Sequence, residues 1–188
     1  MPRDRFLQRK ISVLSKSDKS SIGKWDKRIL HLCKKINSKK EFYTTSSCSG
    51  RIVLMLDKDE KSPNLFLKVW HDRVSFDDLK ETLNELAKRK KTIKFKLEPP
   101  ILHVACEDLK CASEILEKAK SAGWKRSGIN ALGKNIVLEL NSTEKLEFPV
   151  IKNGKILVNE EFLKLILKQT NKKLKKGWEK IEKLEKIS

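Results

Sequence analysis

The sequence has 188 residues, with 43 Lys plus Arg against 25 Asp plus Glu and a formal net charge of +18. No apolar run approaches the roughly eighteen residues of a membrane span, and the length suits one core or two small lobes. The charge favours an anionic partner over a neutral one, through long-range attraction and counterion release.

The N-terminus, MPRDRFLQRKISVLSK, is charged and has no apolar secretion core, so a soluble, cytoplasmic chain without membrane contact is expected. Ile22, Trp25, Ile29, Leu32 and Ile36 recur every three or four residues and predict a helix with one apolar face, ending near Asn37. Strands are predicted over Glu41–Thr45 and Arg51–Leu56, and Asn64–Trp70 alternates well enough to form a hairpin with the second. Ser75 with Asp78 three residues on reads as a helix cap, and Leu79, Leu83 and Leu86 supply that helix's buried stripe. TIKFKLEPPILHVAC is an extended run broken by Pro99-Pro100. A helix follows with Asp108 as cap and Gly123 at its end. KNIVLEL is a strand, and Asn153-Gly154 between apolar runs predicts a tight hairpin. From about Asn159 a long, basic, amphipathic helix runs to Ser188, with Gly177 expected to bend or end it. The fold class is therefore α+β: a largely antiparallel sheet with hairpins, covered by helices, in a single domain spanning 1–188. No GxGxxG follows any strand, so a Rossmann nucleotide site is not expected.

Cys33, Cys48, Cys106 and Cys111 have no CxxC spacing, so reduced thiols are expected rather than a disulfide framework or zinc cluster. Basic residues are concentrated: the first forty positions hold 13 basic and 3 acidic side chains, and KRKKTIKFK has six basic residues and no acid. Lys88, Arg89, Lys90, Lys91, Lys94 and Lys96 are thus the candidate nucleic-acid contacts, with Arg3, Arg5, Arg9 and Lys10 beside them. A lysine-rich solvated surface is the plain alternative.

The segment TTSSCSGRI, Thr44 to Ile52, concentrates chemistry. Its hydroxyls and backbone N–H groups can hold anionic or carbonyl oxygens. Gly50 lets the backbone come close to a ligand, and Arg51 can fork onto a phosphate or carboxylate. A solvent-exposed turn before a buried strand explains the same composition without a ligand.

Five segments, in order, resemble the tRNA wybutosine-synthesizing protein 3 family: DKSSIGKWD (18–26), TTSSCSGRI (44–52), VWHD (69–72), FKLEPPILHVAC (95–106) and GWKRSGI (123–129). The resemblance implies an unusual methyltransferase scaffold that uses S-adenosyl-L-methionine and no metal. It implies methylation of the N-4 ring nitrogen of a tricyclic guanosine derivative beside the anticodon of phenylalanine tRNA, with tRNA rather than DNA as partner. The candidate bases for the ring nitrogen's proton are His71, Glu98 and His103, because a histidine titrates near neutrality. Core packing is the alternative for His103, and pairing with Lys96 the alternative for Glu98. Cofactor contacts fall to Ser46, Ser47, Cys48, Gly50, Arg51, Ser127 and Gly128. Asp18 and Asp26 are candidates for ribose hydroxyls, with capping as the other role for Asp18. Trp70 or Trp124 is a candidate platform for the extruded base; Trp25 belongs on the apolar helix stripe. Two other classes compete: a non-catalytic RNA-binding module, which needs only the basic patches, and a metal-assisted nucleotide hydrolase, which lacks a carboxylate cluster.

Overall fold

The structure, a computed structural model, describes residues 3–16, 26–58, 64–133 and 135–188. Asp18, Ile22 and Trp25 lie outside the described residues. Among the described residues the elements are, in chain order, α1 (Arg3–Leu14), α2 (Leu30–Ser38), β1 (Phe42–Cys48), β2 (Arg51–Leu56), β3 (Phe66–Trp70), α3 (Phe76–Ala87), β4 (Ile93–Glu98), β5 (Ile101–Cys106), α4 (Leu109–Ser121), β6 (Gly128–Leu132), β7 (Ile136–Asn141), β8 (Leu146–Lys152), β9 (Lys155–Ile156) and α5 (Glu160–Ile187). The class is α+β, and among the described residues every strand pairing is antiparallel. The strands form two sheets rather than one, ordered β1-β5-β7-β6 and β3-β2-β4-β8-β9. The chain divides into two compact units, each containing one sheet.

The first unit takes in the chain up to Ser49, Pro100–Thr143 and Gly177–Ser188. Its sheet has apolar residues on both faces because β1, β5 and β7 alternate two apolar sets. Phe42, Leu102, Val104, Leu138 and Leu140 point to one side. There they meet Ile29, Leu32 and Ile36 of the α2 region, Ala112, Ile115 and Ala119 of α4, and Ile181 and Leu184 of α5. Tyr43 and Ala105 point to the other side, where Phe6 of α1 covers them with Val13 and Val137 alongside. Phe6 and Tyr43 rings lie 5.2 Å apart. Helix α1 was not legible from its charge, but Phe6 and Val13, seven positions apart, fall on one helical face.

Capping chemistry fixes the helix ends as the side chains predict. In α4, Asp108 accepts from the Cys111 amide at 2.7 Å, and Gly123 turns the chain at φ 95. Helix α2 begins only at Leu30, later than the periodicity suggests. Strand β1 runs on to Cys48, with a bulge between Thr44 and Ser46, so the hydroxyl-rich segment is strand rather than loop.

The second unit holds Gly50–Pro99 and Glu144–Lys176. In β4, Ile93, Phe95 and Leu97 are buried while Lys94, Lys96 and Glu98 alternate on the other face. The Ser75 cap forms: Ser75 Oγ accepts from the Asp78 amide at 3.1 Å, and it donates to the Asp78 carboxylate at 2.6 Å, in place of the return bond to the Ser75 amide that a full capping box would make. The β8–β9 hairpin turns on Asn153 and Gly154, both at positive φ. Helix α5 supplies buried Leu163, Leu167 and Leu174, and Asn159 caps it by accepting from the Phe162 amide at 2.9 Å.

Gly177 neither bends nor ends α5, which is continuous through it. A Cβ there would sit 2.8 Å from Pro100 Cδ and 2.9 Å from Pro100 Cγ. Close approach, not flexibility, is what this glycine provides.

Candidate active site

In the first unit, Thr44, Ser46, Ser47 and Ser49 each have a structural partner. Thr44 is pinned to the end of α2: its amide donates to Asn37 Oδ1 at 2.8 Å, and Asn37 Nδ2 donates to its hydroxyl at 3.0 Å. Ser46 Oγ lies 2.5 Å from His103 Nδ1. Ser47 hydrogen-bonds with Cys33. The Ser49 amide donates to Asp26 Oδ2 at 2.8 Å. The strand is held from below and along its length, leaving the exposed Ser46 presented on the sheet surface.

That surface has a register that explains the contact. Ser46 stands opposite His103 across β1–β5, His103 opposite Glu139 across β5–β7, and Glu139 opposite Gly128 across β6–β7. Residues directly opposite on one face are within side-chain reach. His103 Nε2 lies 3.1 Å from Glu139 Oε2, and Asn141 Nδ2 donates to Glu139 Oε1 at 3.3 Å. The row ends at Gly128, where a Cβ would meet nothing within 4 Å. One row further along the strands lie Tyr43, Ala105 and Val137, covered by Phe6. The same face is thus apolar and covered at one end, polar and partly open at the other.

Glu139 and Asn141 were not anticipated. A signal existed: Glu139 is a charged residue inside the apolar alternation of NIVLELN, which marks a polar position on a strand otherwise built for burial.

Ser127 has both capacities of its hydroxyl engaged. It donates to the Trp124 carbonyl at 2.6 Å and accepts from the Asn141 amide at 3.0 Å. It thereby ties the end of the α4 turn to β7. Trp124 corrects the stacking expectation: it is fully buried in the core, and its Nε1 donates to the Lys180 carbonyl at 3.1 Å. An enclosed indole offers no face to a flipped base. Trp70, at the end of β3, is half-buried.

The four cysteines are free thiols. Burial pushes the Cys33 thiol up to about 12, against a hydrogen bond with Ser47 and with the nearby Asp26 charge adding to it. Burial likewise pushes Cys106 up to about 12. Neither can act as a thiolate near neutrality.

In the second unit, Arg51 stands opposite Glu98 across β2–β4. Arg51 Nε donates to Glu98 Oε2 at 2.6 Å, and Lys96 Nζ lies 2.9 Å from Glu98 Oε1. The guanidinium also sits 4.8 Å from the Phe66 ring centroid. Burial pushes the Glu98 carboxyl up, but the hydrogen bonds from Lys96 and Arg51 and their charges outweigh it, holding it below the ordinary carboxylate value. Gly50, at φ 95, precedes Arg51 in a conformation that favours glycine. His71 follows β3 in a bend and is half-buried.

The six-residue basic run divides in two. Lys88, Arg89, Lys90 and Lys91, in the turn after α3, are exposed. Lys94 pairs with Glu147 at 3.0 Å and Asp57 at 3.5 Å, and Lys96 pairs with Glu98. On α1, Arg9 is drawn to Tyr43 and Lys10 donates to the Lys39 carbonyl. Among the described residues no helix is long and apolar enough to cross a membrane.

The sequence places the molecule among methyltransferases: residues 3–187 match the family described as Methyltransferase TYW3, and the chain belongs to that family. It is similar to the tRNA(Phe) 7-((3-amino-3-carboxypropyl)-4-demethylwyosine(37)-N(4))-methyltransferase of Thermococcus sibiricus, with 37% identity over 182 residues, covering 95% of this chain and 91% of that protein. It is also similar to the tRNA wybutosine-synthesizing protein 3 homolog of Bos taurus, with 35% identity over 185 residues, covering 94% of this chain and 70% of that one. The solved structure of the PH1069 protein from Pyrococcus horikoshii superposes with a TM-score of 0.86 at 32% identity, covering 98% of this chain and 94% of that chain.

Proposed function

We propose that this chain transfers a methyl group from S-adenosyl-L-methionine to the N-4 ring nitrogen of the tricyclic wyosine-type guanosine derivative beside the anticodon of phenylalanine tRNA. The observation that carries the reading is the near full-length similarity to proteins named for that reaction, joined to a family match over residues 3–187. Cytoplasmic tRNA is the fitting partner for a chain of net charge +18.

When bound, the donor supplies a sulfonium-activated methyl, so alignment and exclusion of water are the main tasks left to the protein, worth roughly 7–11 kcal/mol in favourable systems. The residues present fit such a group: Gly128 leaves open space where a side chain would stand, next to hydroxyl, imidazole and carboxylate groups that can meet a polar ligand. We assign donor binding to Ser47, Cys48, Gly50, Arg51, Ser127 and Gly128; Ser46, whose hydroxyl faces His103, is set apart from that group. Ser127 takes part through its backbone, since its hydroxyl is committed. Arg51 meets Glu98 through Nε, and we assign its two terminal amino groups to an anionic oxygen of donor or RNA.

Of the three candidate bases, Glu98 is the least suited, because two cations hold its carboxylate ionised and occupied. Its role in this reading is to fix Arg51. His71 and His103 are left as the candidate proton acceptors. RNA phosphates fall to the exposed Lys88, Arg89, Lys90 and Lys91, while Lys94 and Lys96, already paired, contribute field rather than contacts.

Isothermal titration tests the reading at low cost. The chain should bind S-adenosyl-L-methionine or its homocysteine product without tRNA present. No heat of binding for either, in a folded sample, contradicts it. The non-catalytic alternative is separated by Arg51→Ala: RNA binding persists and turnover is lost if the chain is an enzyme, whereas an RNA-binding module has no turnover to lose.

A further inference from the structure

We infer that Ser46, His103 and Glu139 form a proton relay, in which Glu139 is the positioning residue that fixes the His103 tautomer and Ser46 carries the proton rather than binding the methyl donor. The inference rests on the methyl-transfer reading above.

The geometry sets the hydrogen positions. An ionised carboxylate has only acceptor capacity. Glu139 Oε2 at 3.1 Å from His103 Nε2 therefore requires the proton on Nε2. A neutral imidazole with Nε2–H has a bare Nδ1, and the atom facing Nδ1, at 2.5 Å, is the Ser46 hydroxyl. Ser46 thus donates to His103, and its oxygen lone pairs are left to accept a proton from outside. Ser46 is exposed, whereas His103 is three-quarters covered at 22% side-chain exposure. A substrate reaches the hydroxyl before it reaches the ring.

The support continues behind Glu139. Asn141 Nδ2 donates to its second oxygen, and the Asn141 amide is anchored on Ser127 Oγ. Carboxylate, imidazole and hydroxyl are thus held in line by three neighbouring strands, which is the arrangement by which a base is oriented and its cation stabilised. Here the imidazole presents Nδ1 to the hydroxyl and Nε2 to the carboxylate.

The chemistry balances. The ring nitrogen begins with one N–H. As its bond to the methyl forms and the sulfur–methyl bond breaks, leaving a neutral thioether, the nitrogen's proton passes to Ser46 Oγ. The Ser46 proton passes at the same time to His103 Nδ1. The products are the N-methyl base, the thioether, Ser46 as a hydroxyl and His103 as an imidazolium facing Glu139, which then releases its proton to water.

The test uses the full chain labelled with nitrogen-15 at its three histidines, with His103 assigned by its loss in His103→Asn. The wild-type ring should carry its neutral proton on Nε2, and Glu139→Gln should give a mixture of tautomers, because an amide can turn its NH2 towards the ring. In single-turnover methyl transfer, Glu139→Gln should lose about 10–100-fold in rate, with donor affinity unchanged by titration. Ser46→Ala should lose at least as much, again with donor affinity unchanged, and Ser46→Thr should recover most of the rate. Ser46 is exposed on the sheet surface, so its alanine variant keeps the test valid if Glu139→Gln does not fold. A wild-type His103 with its neutral proton on Nδ1, a Ser46→Ala enzyme at full rate, or a Ser46→Ala enzyme that has lost donor binding overturns the relay while leaving the methyl-transfer reading intact. A wild-type chain that binds donor and tRNA but transfers no methyl overturns that reading instead.

Discussion

Replacing Gly177 with alanine sets two effects of opposite sign against each other. Alanine is about 1 kcal/mol better than glycine inside a helix, and α5 is continuous on both sides of the position. Against this, the new Cβ would stand 2.8 and 2.9 Å from Pro100 Cδ and Cγ. Forcing an extra methyl into a filled space costs about 1–3 kcal/mol. The upper half of that range applies, because the obstructing atoms belong to a ring fused to the backbone and cannot swing aside. The net effect is a loss of about 1–2 kcal/mol, and at about 2–4 °C per kcal/mol for a chain of this size the melting temperature falls by roughly 2–8 °C. Calorimetry on the single variant and on Gly177→Ala in a Pro100→Ala background separates the terms. With the ring removed, the same substitution should stabilise by about 1 kcal/mol. A rise in melting temperature in both backgrounds would refute the close-approach argument.

Acid unfolding should report Glu98. Its folded value lies below the ordinary 4.5, so its contribution is full at neutral pH and is lost as pH falls from about 4.5 through that lower value. Glu98→Gln should be less stable at pH 7 and should lose less on acidification, measured by urea midpoints across pH. Replacing Lys88, Arg89, Lys90 and Lys91 together with alanine should lower the salt dependence of tRNA binding by up to about 3 in log–log slope, at about 0.7–0.9 per lost phosphate contact. Lys94→Ala, which breaks pairs with Glu147 and Asp57, should act more on stability than on that slope. Iodoacetamide at pH 7.5 should label Cys48 before the other cysteines by peptide mass spectrometry, because Cys33 and Cys106 are buried with thiols near 12 and Cys111 is pushed up by burial to about 11.

The sequence made local structure legible wherever one side chain decides it. Ser75 and Asp108 cap the helices they precede, and Asn153-Gly154 turns a hairpin. The α+β class followed from the mixture of periodicities. The partition into two sheets did not, because strand order depends on long-range pairing that periodicity does not encode. Pro99-Pro100 was visible as a break, but not as the step from β4 of one sheet to β5 of the other. Strand β6 escaped notice because it is exposed from Ile129 to Leu132, with no buried alternation to mark it. Gly177 was misread because a glycine's φ freedom and its small size leave the same mark in a sequence. At the candidate site, His103 and Ser46 were legible as chemistry-bearing residues, and their contact was not: 57 positions separate them, and cross-strand register brings them together. Glu139 is the third member of that row for the same reason.

The central claim is that this chain places one methyl group on the wyosine-type base of phenylalanine tRNA. Incubation of the purified chain with S-adenosyl-L-methionine and phenylalanine tRNA carrying the unmethylated tricyclic base, followed by nucleoside mass spectrometry, tests it most directly. The account predicts that the modified nucleoside gains the mass of one methyl in place of one hydrogen, on the N-4 ring nitrogen, and that His103→Asn gains little or none. An unchanged nucleoside mass, from protein that binds both the donor and the tRNA, would contradict it.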